Sequence, residues 1–346
     1  MNELVGKKVF YLEPIDGIDV YVDQFKLYRE SGCDLSVGPF VSETDKVYSK
    51  EELIEIGNTY DAVIGMHREA FTRDIIMQCD KLQMITKTGI GMDHVDIPAA
   101  TEKGILVTNT PGQNTLTVAE HAITLMLALL KKLPYEERHL REGFWRDNST
   151  LSEEIFHSTI GLVGFGNIGK MVARRLQGWD CNLIAYDPYL TEEQIEGAGL
   201  NVKKVDWETL WSVSDVVSVH CPLTAETRGL VGARELSLMK PTAYLINTAR
   251  GPIVKVKDLN EALRAGKIAG AGIDTHDGPE PVLPDYPLLD LHENVILTPH
   301  NAGWAGPGLA RLAVVAAQNT IDGLTGKITN ACNPEVESFW RSRFFS

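Results

Sequence analysis

Short apolar runs of strand length alternate with stretches of helical spacing along this chain, a pattern that predicts parallel sheets flanked by helices. In the first hundred or so residues the strand-like runs are Lys8–Leu12, Ala62–Met66, Leu82–Thr86 and Leu106–Thr108, with helices predicted over Val20–Ser31 and Ser49–Gly57. A long helix is predicted over Thr115–Leu133. A second series of strands follows at Ile160–Gly164, Leu183–Asp187, Val216–Cys221, Ala243–Asn247, Gly270–Asp274 and Val295–Thr298. Pro307–Leu324 reads as one more helix and Asn333–Ser346 as irregular. No repeat or low-complexity linker interrupts the series, so its two halves are expected to be joined by helices rather than by a tether.

A chain of 346 residues exceeds one compact core and predicts two domains. Hydrophobic content of 44% and charged content of 23% are those of an ordinary globular protein. The greasiest stretch, Leu116–Leu130, is interrupted by Glu120 and His121 and is too short for a bilayer. It is expected to be a helix buried on nearly all sides, with the 115–133 region serving as a homodimer contact. A formal net charge of −14 argues against nucleic acid as a partner. The N-terminal Met1–Lys8 carries no apolar signal core. Five scattered cysteines (Cys33, Cys79, Cys181, Cys221 and Cys332) form no C-x-x-C pair. They read as reduced packing residues of a cytoplasmic protein, with neither disulfide nor metal expected.

The most informative segment is Thr159–Lys170, where an apolar run enters Gly164-x-Gly166-x-x-Gly169 and a helical stretch continues to Leu176. Another apolar run then ends on Asp187. Gly164 allows the tight strand-to-helix turn, Gly166 lets a pyrophosphate approach the backbone, and Gly169 lets helix and strand pack closely. The helix N-terminus then aims free N–H groups at the phosphates. Asp187 is placed to accept from the ribose hydroxyls, which predicts NAD over NADP, because a 2′-phosphate would face its charge. The six strands of this half match a complete dinucleotide-binding sheet. Polar or turn residues recur at the strand ends, at Gly164-Phe-Gly166, Asp187, His220-Cys-Pro222, Thr248-Ala-Arg250, Asp274 and His300. Ligands of open parallel sheets bind at those ends.

Three residues there have chemistry to offer. Arg250 follows an apolar strand and precedes Gly251-Pro252, so its guanidinium can hold a carboxylate in two-pronged fashion and polarise a neighbouring carbonyl. His300, just past the last strand in Thr298-Pro-His300, is of a type that exchanges protons near neutrality and can protonate a carbonyl oxygen as hydride reaches the carbon. Glu280, in Gly278-Pro-Glu-Pro281, is a carboxylate that would favour the imidazolium if it lay beside His300.

Together these residues resemble the D-isomer-specific 2-hydroxyacid dehydrogenase family over almost the whole length. The resemblance rests on Thr88–Asp96, Asn109–Asn114 with Val118-Ala-Glu120, Gly161–Gly169, His220–Thr224, Asn247–Gly251, Gly270–Asp274 and Thr298–His300. It implies an α/β fold of two Rossmann-like doubly wound parallel-sheet domains with an interdomain cleft. Residues 1–108 plus 305–346 would form the flavodoxin-like substrate-binding domain and residues 109–304 the NAD-binding domain. The implied activity is NAD-dependent interconversion of a 2-keto acid and a D-2-hydroxy acid. Arg250 would bind substrate, His300 would be the acid/base and Glu280 its partner. The implied coenzyme set is Gly164, Gly166, Asn167, Ile168, Gly169, Asp187, His220, Cys221, Pro222, Thr248, Ala249, Arg250, Asp274, His300 and Gly303. Asp274 would hold the nicotinamide carboxamide. Thr88, Gly89, Ile90 and Gly91 would offer backbone N–H groups to the substrate carboxylate, and Arg68 stands where phosphoglycerate enzymes contact a distal phosphate.

One departure concerns the acidic partner. The family usually spaces its glutamate five residues after the strand-ending aspartate, whereas Glu280 stands six after Asp274, with Asp277 as the rival. His276 occupies a position where the family often has a bulky apolar residue. The resemblance is to phosphoglycerate dehydrogenases and hydroxypyruvate or glyoxylate reductases in a short form, with no regulatory domain expected. A coenzyme-sensing corepressor of the same fold is the alternative outside enzymes, and formate or phosphite dehydrogenases are the alternatives within them.

Overall fold

A computed structural model describes residues 3–40, 47–65, 70–279 and 282–345. The chain forms two compact units, one from Met1–Asn114 with Ala305–Ser346 and one from Thr115–Trp304. Residues 109 and 110 are tied to the first unit, since Asn109 N donates to Asn330 O and Thr110 N donates to Gly89 O.

The first unit begins with β1 (Lys8–Tyr11), α1 (Lys26–Ser31), β2 (Asp34–Val37), α2 (Lys50–Thr59), β3 (Ala62–Gly65), α3 (Arg73–Ile76), β4 (Met84–Lys87), α4 (Ile97–Lys103) and β5 (Leu106–Thr108). Its strands pair in parallel in the order β2-β1-β3-β4-β5. Helix α2 starts where a side chain replaces the missing helical partners. Ser49 accepts from Glu52 N at 3.2 Å while Glu52 accepts from Ser49 N at 2.8 Å. The helix predicted over 20–31 is broken instead. Asp23 accepts from Phe25 N at 3.1 Å, a local turn that competes with helical bonding, and α1 begins only at Lys26.

In the second unit come α5 (Thr115–Leu130), α6 (Leu133–Arg141), β6 (Thr159–Val163), α7 (Asn167–Arg175), β7 (Asn182–Tyr186), α8 (Glu192–Glu196), β8 (Val202–Lys204), α9 (Trp207–Val213) and β9 (Val216–Val219). They are followed by α10 (Ala233–Leu238), β10 (Tyr244–Asn247), α11 (Val256–Arg264), β11 (Gly270–Ile273) and β12 (Val295–Leu297). All pairings are again parallel, in the order β12-β11-β10-β9-β6-β7-β8. Strand order reverses between β6 and β9, so the carboxyl ends of these two strands flank the crevice where doubly wound sheets bind ligands. Leucine, isoleucine and valine of both sheet faces are buried, one face under α5 and α7 and the other under α9, α10 and α11. The apolar side chains of α5 (Ala119, Ala122, Ile123, Leu125, Met126, Leu129 and Leu130) are used inside this unit's core.

The chain returns to the first unit in α12 (Gly306–Leu324) and α13 (Glu337–Phe344). Helix α12 presses onto the sheet at Gly323, where a Cβ would lie 2.4 Å from Met84 Sδ. Helix α13 replaces the irregular tail expected for 333–346. It is held by Trp340, fully buried, whose indole donates to Gln83 O at 3.0 Å. Strands β2 and β8 were also absent from the sequence expectation. Both are edge strands with exposed polar positions, so neither shows a buried apolar run. Among the described residues no helix is long and apolar enough to cross a membrane.

Candidate active site

The turn after β6 is built by its glycines. Gly164 has φ +92°, and a Cβ on it would lie 2.8 Å from Cys221 N, so the turns after β6 and β9 abut at the switch point of the sheet. A Cβ on Gly169 would lie 2.4 Å from the Gly164 carbonyl oxygen. Gly166, by contrast, has nothing within 4 Å of that position. It caps α7 with no side chain to satisfy the first N–H groups. The start of α7 therefore presents free donors and open space, the conditions a bound phosphate requires. Asn167 and Ile168 form the first turn, Asn167 exposed and Ile168 half-buried.

Asp187 follows β7 with its carboxylate already aimed. Oδ2 accepts from Phe165 N, inside the glycine turn, and Oδ1 accepts from Tyr189 N, both at 3.0 Å. Each oxygen keeps a free lone pair for a ribose hydroxyl. Across the switch point, both ring nitrogens of His220 are sealed from solvent and have no hydrogen-bond partner among the described residues. Burial lowers its pKa to about 4, so the imidazole is neutral at physiological pH. Burial also pushes the Cys221 thiol up to about 11, which removes it as a nucleophile. Thr248 Oγ1 is likewise buried without a partner. Unpaired buried polar atoms are costly, and His220 and Thr248 stand at the strand ends where a ligand could bond them. The residues of this edge fit a dinucleotide.

Arg250 is half-buried at the end of the loop leaving β10. Asn247 clips that loop by accepting from Ala249 N at 3.1 Å and donating to Arg250 O at 2.9 Å. Gly251 lets the loop touch the segment after β11, since a Cβ there would lie 2.0 Å from the His276 carbonyl carbon. One guanidinium nitrogen, Nη1, donates to Ala249 O at 2.7 Å.

Past β12, His300 is exposed and has φ +54°, a left-handed backbone that costs a non-glycine residue on the order of 1–3 kcal/mol. Asp274, at the end of β11, holds it there. Asp274 O accepts from His300 N at 2.8 Å. The carboxylate is fully buried and accepts from Thr298 Oγ1 at 2.5 Å, Asn301 N at 2.8 Å and Ala302 N at 2.9 Å. Those bonds offset the desolvation of its charge and fix the loop as far as Ala302, next to Gly303. Sequence reasoning assigns His121 no role beyond breaking an apolar helix. In the structure its Nε2 lies 3.1 Å from Thr298 Oγ1 and 3.5 Å from Asp274 Oδ1. A polar pair inside an otherwise apolar helix was the available signal.

In the first unit, Thr88 is buried, Gly89 has φ +141° and Ile90 is exposed. Two of the four N–H groups are spent internally, with Thr88 N donating to Gly65 O and Gly89 N donating to Thr110 Oγ1 at 2.8 Å. Only Ile90 and Gly91 keep N–H groups with no acceptor among the described residues. Glu280 and Arg68 lie outside the described residues. The rival Asp277 is exposed beside Gly278, which has φ +134°. No cluster of His, Cys, Asp or Glu that could hold a metal ion occurs among the described residues.

Residues 123–302 match the family model described as "D-isomer specific 2-hydroxyacid dehydrogenase, NAD binding domain". The chain is 39% identical over 332 residues to a D-3-phosphoglycerate dehydrogenase of Archaeoglobus fulgidus, a match that covers 95% of this chain and 60% of that protein. This chain thus spans about three fifths of the length of that relative. It is 38% identical over 293 residues to a glyoxylate reductase of Korarchaeum cryptofilum, covering 83% of this chain and 87% of that one. Among solved structures, the TT0316 protein from Thermus thermophilus superposes with a TM-score of 0.83 at 31% identity, covering 94% of this chain and 99% of that one.

Proposed function

The chain belongs to the D-isomer specific 2-hydroxyacid dehydrogenase family, and we propose that it is an NAD-dependent oxidoreductase that interconverts a 2-keto acid and a D-2-hydroxy acid. The observation that carries this reading is one sheet edge bearing three features. They are an uncapped α7 N-terminus with a pre-aimed Asp187, Arg250 on a clipped loop, and His300 held in a left-handed backbone. When bound there, NADH supplies the hydride.

The protein's own residues then have separable tasks. Asp187 accepts from the ribose hydroxyls and repels a 2′-phosphate. The α7 N–H groups take the pyrophosphate. Arg250 grips the substrate carboxylate and draws electron density toward the carbonyl oxygen. His300, as imidazolium, releases a proton to that oxygen as the carbon becomes tetrahedral, and takes it back in the reverse direction. Glu280 is the proposed carboxylate that favours the charged imidazole. The N–H groups of Ile90 and Gly91 are the proposed further donors to the substrate carboxylate. Both assignments rest on the family resemblance, as does Arg68 for substrates with a distal phosphate.

The five cysteines are all unpaired, which supports a reducing, cytoplasmic setting. For self-association we propose the stretch after α5 rather than α5 itself, because the apolar residues of α5 are used within its own unit. The test of the reaction is NADH consumption with glyoxylate, hydroxypyruvate, 3-phosphohydroxypyruvate and branched 2-keto acids assayed side by side, with formate plus NAD as a further arm. Stereospecific formation of a D-2-hydroxy acid from one of the keto acids is expected. Turnover of formate alone, or of no keto acid, would overturn the reading.

A further inference from the structure

Thr298 is bonded through its backbone nitrogen, its carbonyl and its side chain. Its N–H donates to Ile273 O at 3.0 Å. Its carbonyl accepts from His300 N at 2.9 Å, and His276 Nε2 lies 2.9 Å from the same oxygen. Its hydroxyl donates to Asp274 Oδ1 at 2.5 Å, and His121 Nε2 lies 3.1 Å from that hydroxyl. Two imidazoles reach this residue from different elements, one on α5 and one just after β11, and the acid/base candidate stands two residues further on.

The proton positions follow from donor counting. A carbonyl oxygen can only accept, so His276 Nε2 must carry a proton. A hydroxyl has a single proton, and the Thr298 hydroxyl gives it to a carboxylate that can only accept. The Thr298 oxygen therefore faces His121 as an acceptor, and His121 Nε2 must also carry a proton. The other nitrogen of His276, Nδ1, is sealed from solvent without a partner among the described residues, and the ring lies edge-on to Tyr286 with centroids 5.2 Å apart. His276 is 8% exposed and Asp274 0%, so both groups act in a dry interior where each donor counts.

We propose that His121 and His276 are positioning residues that clamp Thr298 as Nε2–H donors and thereby fix the backbone of His300 for proton transfer. The carbonyl that accepts the His300 N–H is the one His276 anchors. Without that donor the carbonyl keeps only the short-range bond from His300 N, so Pro299 and His300 gain room to shift together. His121 acts on the other side by tying α5 to the Thr298–Asp274 bond. The proposal rests on His300 being the acid/base.

Two independent measurements test it. In nitrogen-resolved histidine spectra of the unmodified protein, His121 and His276 should both show the Nε2–H form, each assigned by its disappearance in the corresponding glutamine variant. An Nδ1–H form for either ring would overturn the clamp, whether or not the protein turns over any keto acid. The second measurement is kinetic, on His276→Phe, which keeps a ring against Tyr286, and on His121→Leu. Each should lose roughly tenfold to a hundredfold in kcat, the scale of a small misplacement of a reacting group. The substrate KM and the NADH Kd should stay within about twofold. His276→Gln and His121→Gln place an amide N–H near the lost Nε2–H and should restore most of kcat. Unchanged kcat in Phe and Leu variants, or glutamine variants as slow as them, would overturn the proposal. Absence of keto-acid turnover in the unmodified protein would remove the proposed reaction and leave the spectra to decide the clamp.

Discussion

Arg250 donates Nη1 to its own neighbour's carbonyl, Ala249 O, which directs the guanidinium before any substrate arrives. Arg250→Lys keeps the charge but loses the fork, and should cost on the order of 2–4 kcal/mol in kcat/KM by analogy with other charge-stabilising donors. NADH affinity should barely change, and near-normal turnover would show the side chain to be structural. For His300→Ala a rate loss of about 10²–10⁴ is expected. With His300 as the proposed acid/base, reduction by the unmodified protein should fade in base and oxidation should fade in acid. Flat profiles in both directions would exclude His300 as the proton carrier. His220 gives a stability prediction with a defined sign. Its pKa falls to about 4 in the folded protein, below the ordinary value near 6.5, so the unfolded chain binds the extra proton first. The folded state should be at full strength above about pH 6.5 and lose up to about 3 kcal/mol from this group as pH falls toward 4. His220→Asn should flatten that part of the urea-unfolding profile, and an unchanged slope would contradict the burial argument. Arg250 and His300 drew a chemical reading from the sequence because their residue types suggest one, and that reading stands as the proposal tested above. The contact between His121 and Thr298 left no such signal, because it joins residues 177 apart in the chain.

At the level of elements, the glycine turn separates two roles that one motif conflates. Gly169 is required by packing, since any Cβ would collide with the Gly164 carbonyl oxygen at 2.4 Å. Gly166 has an ordinary φ of −77° and open space around it. Gly166→Ala should therefore leave the melting temperature nearly unchanged while weakening NADH binding at least about tenfold, a difference of ~1.4 kcal/mol. Gly169→Ala should destabilise the fold itself by about 1–3 kcal/mol. Calorimetry and a fluorescence titration distinguish the two, and equal melting temperatures for both variants would refute the packing argument. The same contrast explains what the pattern of apolar positions could show. Central strands such as β3, β6 and β10 are buried on both faces, and their apolar runs were readable to within about two residues. Strands β2 and β8 sit at sheet edges, and α13 depends on Trp340 reaching the Gln83 carbonyl. Their order is set by neighbours far away in the chain, which local periodicity does not record.

For the molecule as a whole, the decisive unburied feature is the stretch after α5. Helix α6 buries none of its residues, and Leu133, Leu140, Phe144, Trp145, Leu151 and Phe156 are all exposed, Trp145 by 74%. The stretch is nonetheless ordered by its own contacts. The His139 ring stacks between Tyr135 at 5.4 Å and Phe144 at 4.8 Å, and Tyr135 Oη donates to Ser149 Oγ at 2.9 Å. Large exposed apolar side chains concentrated along one segment are of the kind that protein contacts use. A second copy of the chain is the occupant we propose, and a stable contact would need about 800 Å² from each partner. The net charge of −14 opposes self-association at long range, whereas apolar burial does not depend on salt screening. Association should therefore tighten as salt rises from low to physiological concentration. Sedimentation of the unmodified chain at micromolar concentration should give twice the chain mass. Replacing Phe144 and Trp145 together by Glu should give the single-chain mass with NADH binding retained, because neither residue belongs to the coenzyme edge. A single-chain mass for the unmodified protein, or a dimer that survives both substitutions, would place the contact elsewhere or remove it.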